Sequence, residues 1–172
     1  MGCEIERKFL VKDSSFLYFA ECQKHIKQGY LSEKNAEGTV FRVRIADEKA
    51  FLTVKGKASG IARAEFEYEI PLADANDMLN SLCMTRIIEK TRYYLHYEGF
   101  LWEIDVFEGR HKGLIVAEIE LESADTLFVK PDFVGDEVNA AVRTPAATNI
   151  QRGMTCIYKY CTLTATIRTL SI

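Results

Sequence analysis

Long apolar runs are missing from this chain. No 18 consecutive residues are apolar, which excludes a membrane-spanning helix. Paired cysteine spacing is missing as well. Five cysteines are present, an odd number, and none form Cys-x-x-Cys. His25, His96 and His111 are scattered. A disulfide framework and a zinc site are both poor readings, and reduced thiols are the better one. Positive charge is not in excess either. Lys and Arg total 22 against 25 Asp and Glu, a net −3, unlike many nucleic-acid binders. Tandem repeats and low-complexity tracts are absent. With 48% apolar and 27% charged residues, the 172-residue chain has the composition of an ordinary globular protein. Its first residues, Met-Gly-Cys-Glu-Ile-Glu-Arg-Lys, lack an apolar secretory core, so a cytoplasmic location is expected.

Acid itself vanishes at one end. No Asp or Glu follows Glu137, while Arg143, Arg152, Lys159 and Arg168 give the last 34 residues a charge of +4. That leaves −7 on the first 138. The break predicts a main domain over 1–138 and a divergent tail over 139–172. The tail is expected to pack more weakly, with part of 156–170 alternating as an edge strand would.

What is present is alternation. Period-two patterning predicts strands near 3–12, 26–33, 38–46, 49–56, 61–71, 86–97, 100–108 and 114–122. Three short helices are expected. One follows Asp13 and Ser14 and runs to Cys22; one spans 73–82; one begins after Ser123 and stops before Pro131.

Residues at i and i+2 share a strand face. Sorted this way, one face collects Glu4, Glu6 and Lys8; Arg42 and Arg44; Thr53 and Lys55; Arg63, Glu65, Glu67 and Glu69; Lys90 and Arg92; Glu103 and Asp105; Glu118, Glu120 and Glu122. The opposite face is apolar, with residues such as Phe41, Val43, Leu52, Val54, Trp102, Ile104, Ile119 and Leu121. A solvent-facing sheet is also polar on one side. Such faces usually mix in Ser, Thr and Gln, whereas these are almost purely Glu, Arg and Lys. Three short helices are also too few to cover so much apolar surface. A mainly antiparallel α+β fold, an eight-stranded closed barrel with charges in its lumen and a few flanking helices, answers both points. An outer-membrane barrel shares the polar lumen, but the cysteines and the helix at 73–82 fit it poorly.

Convergent Arg and Lys match a multiply charged anion, since the guanidinium fork donates bidentately to phosphate. The candidates are Lys8, Arg42, Arg44, Lys55, Arg63, Lys90 and Arg92. Clustered carboxylates beside them would repel that anion unless a cation intervenes. All-oxygen ligands such as Glu4, Glu6 and Glu120 select hard ions, Mg²⁺ or Mn²⁺. Together they suggest metal-assisted chemistry on a polyphosphate.

The run Glu4-Ile5-Glu6-Arg7-Lys8-Phe9-Leu10-Val11 resembles the Glu-x-Glu-x-Lys signature of the CYTH superfamily, the triphosphate tunnel metalloenzymes. Further stretches agree in order: Gln28-Gly29-Tyr30-Leu31, Arg42-Val43-Arg44, Leu52-Thr53-Val54-Lys55-Gly56, Glu65-Phe66-Glu67-Tyr68-Glu69, Glu89-Lys90-Thr91-Arg92-Tyr93, Glu103-Ile104-Asp105-Val106-Phe107 and Ala117-Glu118-Ile119-Glu120. The resemblance implies an eight-stranded tunnel binding a triphosphate with a divalent metal. It implies Glu4, Glu6 and Glu120, with Glu118 alongside, as metal carboxylates. It implies Lys8, Arg42, Arg44, Lys55, Lys90 and Arg92 as phosphate ligands, and Tyr30 with Lys90 as helpers in activating water. Arg143 falls near a further family arginine, but Thr144 and Pro145 follow it where the family has an aromatic residue.

Hydrolysis of inorganic triphosphate is the expected function. A class IV-type adenylate cyclase, a thiamine triphosphatase and a non-catalytic polyphosphate- or nucleotide-binding module are the alternatives. Expected partners are inorganic or nucleoside triphosphate, without nucleic acid or membrane; a homodimer is left open.

Overall fold

The computed structural model describes residues 2–31, 39–57, 62–83 and 87–138, with side chains from residue 5 and excepting 62 and 63. The tail over 139–172 lies outside these residues. Among the described residues, nine strands form one antiparallel sheet. They are β1 (Gly2–Val11), β2 (Cys22–Tyr30), β3 (Val40–Ala46), β4 (Lys49–Lys55), β5 (Ala62–Ile70), β6 (Ile88–Tyr97), β7 (Phe100–Phe107), β8 (Ile115–Glu120) and β9 (Val134–Glu137). Their order is β5-β4-β3-β2-β6-β7-β8-β1-β9. Pairing of Gly2–Ile5 in β1 with Ala62–Glu65 in β5 joins the first eight strands into a ring. The strand β9 adds to the same edge of β1 further along, at Phe9 and Val11.

The expected strands are all present within a few residues. One was missed: β9 is four residues long, with only Val134 fully buried, too short for alternation to register. Another starts early. The first four residues of β2, Cys22 to His25, are all exposed and show no apolar alternation.

The helices differ more. The first is a short 3-10 turn, Ser14–Tyr18, whose N-terminus is capped by Asp13 accepting from Ser15 N at 2.8 Å. It buries Phe16 only, and Cys22 already belongs to β2. The second, α1 (Leu72–Ser81), follows Pro71 and buries Ala75 and Leu79 against Val43 and Ala50 on the outside of β3 and β4. Leu82, the last residue of the expected span, lies past the helix end and is exposed.

The third expected helix is not formed. Ser123 N donates instead to Thr126 Oγ1 at 3.1 Å, a local turn that competes with helix. Pro131 disfavours helical geometry at Lys130. Phe128 then packs its ring on Trp102, Phe9 and Phe100 at 5.8–6.2 Å. A loop rather than a helix thus covers the outer cluster of Phe9, Leu95, Trp102, Ile104 and Ile119. No helix among the described residues is long and apolar enough to cross a membrane.

Candidate active site

The charged strand faces point inward. They line a cavity of about 190 Å³ bounded by Glu6, Lys8, Gln28, Tyr30, Arg42, Arg44, Lys55, Glu65, Lys90, Arg92, Glu103, Glu118 and Glu120. Ten of the twelve site residues expected outside the tail are therefore gathered in one place, although they are spread over 115 positions from Glu6 to Glu120. Glu4 and Arg63 are register partners across the β1–β5 seam. Their side chains, and all of Arg143, lie outside the described residues.

Strand register explains how like and unlike charges meet. Lys8 stands opposite Glu118, and Glu6 opposite Glu120, across β1 and β8. Arg92 stands opposite Asp105, and Glu103 opposite Glu118. Lys8 Nζ donates to Glu118 and lies 3.0 Å from Glu6. Arg44 Nη2 binds both oxygens of Glu67 at 2.8 and 2.9 Å. Arg42 leans on Glu65 and Glu67 at 3.6 and 3.4 Å, and Lys55 pairs with Glu65.

Asp105 is the fulcrum. It is fully buried, and accepts from Arg92 Nε at 2.6 Å, Arg92 Nη2 at 2.7 Å and Lys90 Nζ. Arg92 reaches on to Glu103 and, at 2.8 Å, to Glu118. Burial alone would raise the pKa of Asp105, but Arg92 and Lys90 outweigh it and hold the carboxyl below its ordinary range. Glu118 is held well below the usual range: burial opposes, while Lys8, Arg92 and Lys90 prevail. Burial, reinforced by Arg92, lowers the proton affinity of Lys90. Arg44 is lowered by burial and by Arg42, and its Nε has no hydrogen-bond partner. A buried guanidinium N–H without an acceptor is a donor available to an anion.

Sequence reasoning placed Asp105, Glu103, Glu65 and Glu67 on the inner face without naming them as site residues. The buried Gln28, whose amide donates to the Tyr30 hydroxyl at 3.2 Å, was missed. Its parity with Tyr30 was the available signal.

The donor chemistry fits a hard divalent cation. Glu6 and Glu120 are directly opposed like charges, a repulsion that nearby cations relieve, Lys8 Nζ at 3.0 Å from Glu6 among them. A second cavity of about 440 Å³ continues outward past them, flanked by Glu103, Glu118 and Glu122. Among the described residues no three acidic side chains already form a closed metal cage.

The pattern of the CYTH domain matches residues 2–154. The chain belongs to the CYTH family. The match runs beyond the composition break near residue 138. An inorganic triphosphatase of Acetivibrio thermocellus is 44% identical over 143 residues, covering 83% of this chain and 90% of the relative. One from Nitrosomonas europaea is 35% identical over 141 residues, covering 78% and 88%. Among solved structures, the inorganic triphosphatase NE1496 superposes with a TM-score of 0.59 at 33% identity, over 80% of this chain and 90% of that one. A conserved hypothetical protein from Pyrococcus furiosus shares the fold at a TM-score of 0.56 and 22% identity, over 71% of this chain and 80% of its own. This CYTH barrel thus has inorganic triphosphatases among its relatives and a lumen lined by both cations and carboxylates.

Proposed function

We propose that this CYTH protein hydrolyses inorganic triphosphate to orthophosphate and pyrophosphate. The observation that carries the reading is the convergence of six cations from β1, β3, β4 and β6 on one cavity. Seven carboxylates share that lumen, counting Glu67 and Asp105 with the five in the cavity wall. Cations and carboxylates nearly cancel, so a multiply charged anion needs a metal ion beside it. Glu6 and Glu120, with Glu118 and by family resemblance Glu4, would hold Mg²⁺ or Mn²⁺. Such an ion neutralises phosphate oxygens and polarises the phosphorus toward attack.

The chain's own groups do the rest. Arg42, Arg44, Arg92, Lys8 and Lys55 bind phosphate oxygens and stabilise charge that builds during transfer. A water oxygen bonds to the terminal phosphorus, the bridging P–O bond breaks, and its electron pair leaves with pyrophosphate. Lys90 is suited to accept the water's proton, because burial already weakens its hold on its own. Tyr30, fixed by Gln28, orients that water. The exposed thiol of Cys22 is in keeping with a reducing compartment such as the cytoplasm.

The test is phosphate release from tripolyphosphate with Mg²⁺ or Mn²⁺ present, alongside ATP and thiamine triphosphate at equal concentration. Release no faster than that of a Glu6→Gln, Glu120→Gln double variant would sink the reading. Cyclic AMP as the main product from ATP would replace it with a cyclase, and tight binding without turnover would make this a binding module. If Lys90 must be neutral, the rate rises with pH and levels below the usual lysine range. A steady decline from pH 6 to 9 would remove Lys90 from the role.

A further inference from the structure

The inner face is not charged throughout. Leu10, Tyr30, Val40, Ile88, Phe107 and Val116 share the parity of the charged lumen residues, each two positions from one of them or from Gln28. With Leu114 they form a single apolar cluster inside the barrel, its buried members only 2–6% exposed. The cavity touches Tyr30 and none of the others. On the adjoining strands β4 and β5, the buried Lys55 is locked to Glu65. At the opposite end the lumen widens past Glu103 and Glu120 to Leu101 and Glu122. Among the described residues, then, one end has an acidic mouth and the other an apolar floor.

We propose that this barrel is a blind pocket that reads only the free ends of phosphate chains. The proposal rests on the triphosphatase reading above. Leu10, Val40, Ile88, Phe107 and Val116 offer no side-chain donor, and a phosphate oxygen pressed against them would lose its water without replacement. A chain therefore cannot thread through. It enters tip first from the mouth and stops when its terminal phosphate meets Tyr30 and the floor. The anhydride that reaches Lys90 and Arg92 is the one near the tip. Anhydrides deep within a long polyphosphate never arrive, and a substrate blocked at both ends cannot enter. A nucleoside triphosphate would enter with its terminal phosphate leading and its base left at the mouth.

The experiment uses the full chain with Mg²⁺ or Mn²⁺ and three probes: tripolyphosphate, long-chain polyphosphate and a dinucleoside tetraphosphate. Turnover of tripolyphosphate tests the underlying reading on its own, and its absence would defeat that reading first. Given such turnover, the dinucleoside tetraphosphate should be cleaved at least about 100-fold more slowly, the scale of exclusion by clash. Long polyphosphate should shorten only from its ends, with no mid-length fragments on a gel. Mid-length fragments, or cleavage of the doubly capped probe within about tenfold of tripolyphosphate, would overturn the proposal. Phe107→Ala, which removes the largest apolar side chain of the floor, is expected to yield mid-length fragments; Leu114→Ala replaces it if Phe107→Ala does not fold. A folded floor variant that still cuts only at ends would show that these residues are not the stop.

Discussion

Replacing Asp105 with alanine is expected to remove about 3–5 kcal/mol of stability, the scale on which a broken buried ion pair destabilises a protein. Asp105 is fully buried and is the shared acceptor of Arg92 and Lys90. Without it, two cations stay inside the barrel with fewer partners, and Lys90 feels the repulsion of Arg92 with only Glu118 left to offset it. Urea unfolding should show a lower midpoint with the slope unchanged. Triphosphate should raise the variant's midpoint more than the parent's, because the anion supplies the negative charge that was lost. The pH dependence has a definite sign. The carboxyl is held below its ordinary value, so its stabilisation is present above the unfolded carboxylate pKa and fades as pH falls through the folded one. The gap between the parent and Asp105→Asn should therefore shrink in acid. A midpoint for Asp105→Ala equal to the parent's would show that Asp105 is not the anchor.

Much of this barrel was legible because strand parity is a local property. Glu6 and Lys8, Arg42 and Arg44, and Lys90 and Arg92 are spaced by two, and an inner face follows from that spacing wherever the strands pair. Ring closure followed from the same pattern, since so much apolar surface had too few helices to cover it, and the family motifs added the expected role of each lumen residue. Pairing across long separations was not legible. That Glu6 meets Glu120 and Lys8 meets Glu118 depends on register between segments about a hundred residues apart.

Depth was not legible either. Glu103 and Asp105 look alike in the alternating pattern, yet Asp105 is sealed while Glu103 borders the mouth. The apolar floor was hidden for the same reason. Leu10 and Val116 read as breaks in a charged face, and only the closed ring puts them in one cluster. The missing third helix shows tertiary packing deciding a short segment. Within the expected helical span, the ring of Phe128 was drawn onto Trp102 while Leu127 stayed 93% exposed.

Arg92 and Arg7 carry the same charge on opposite sides of the wall, and their substitution should separate the lumen from the exterior. Arg92 is buried between Asp105, Glu103 and Glu118, which together hold its pKa well above the ordinary value despite burial. Arg7 lies outside, its Nε donating to Glu137 at 2.8 Å and its guanidinium 5.0 Å from the Phe128 ring. Arg92→Ala should weaken triphosphate binding by about 1.5–3 kcal/mol, the worth of hydrogen bonds to charged groups. It should slow turnover by about 10²–10³, as loss of one preorganised donor does. Arg92→Lys should fall between, since it restores the charge without the two-pronged fork. Arg7→Ala should leave affinity within about twofold, as surface changes usually do. Calorimetric titration with triphosphate and steady-state rates on the same samples measure both effects. An Arg92→Ala protein that binds as tightly as the parent, or an Arg7→Ala protein that loses as much, would mean that the anion does not bind in the lumen.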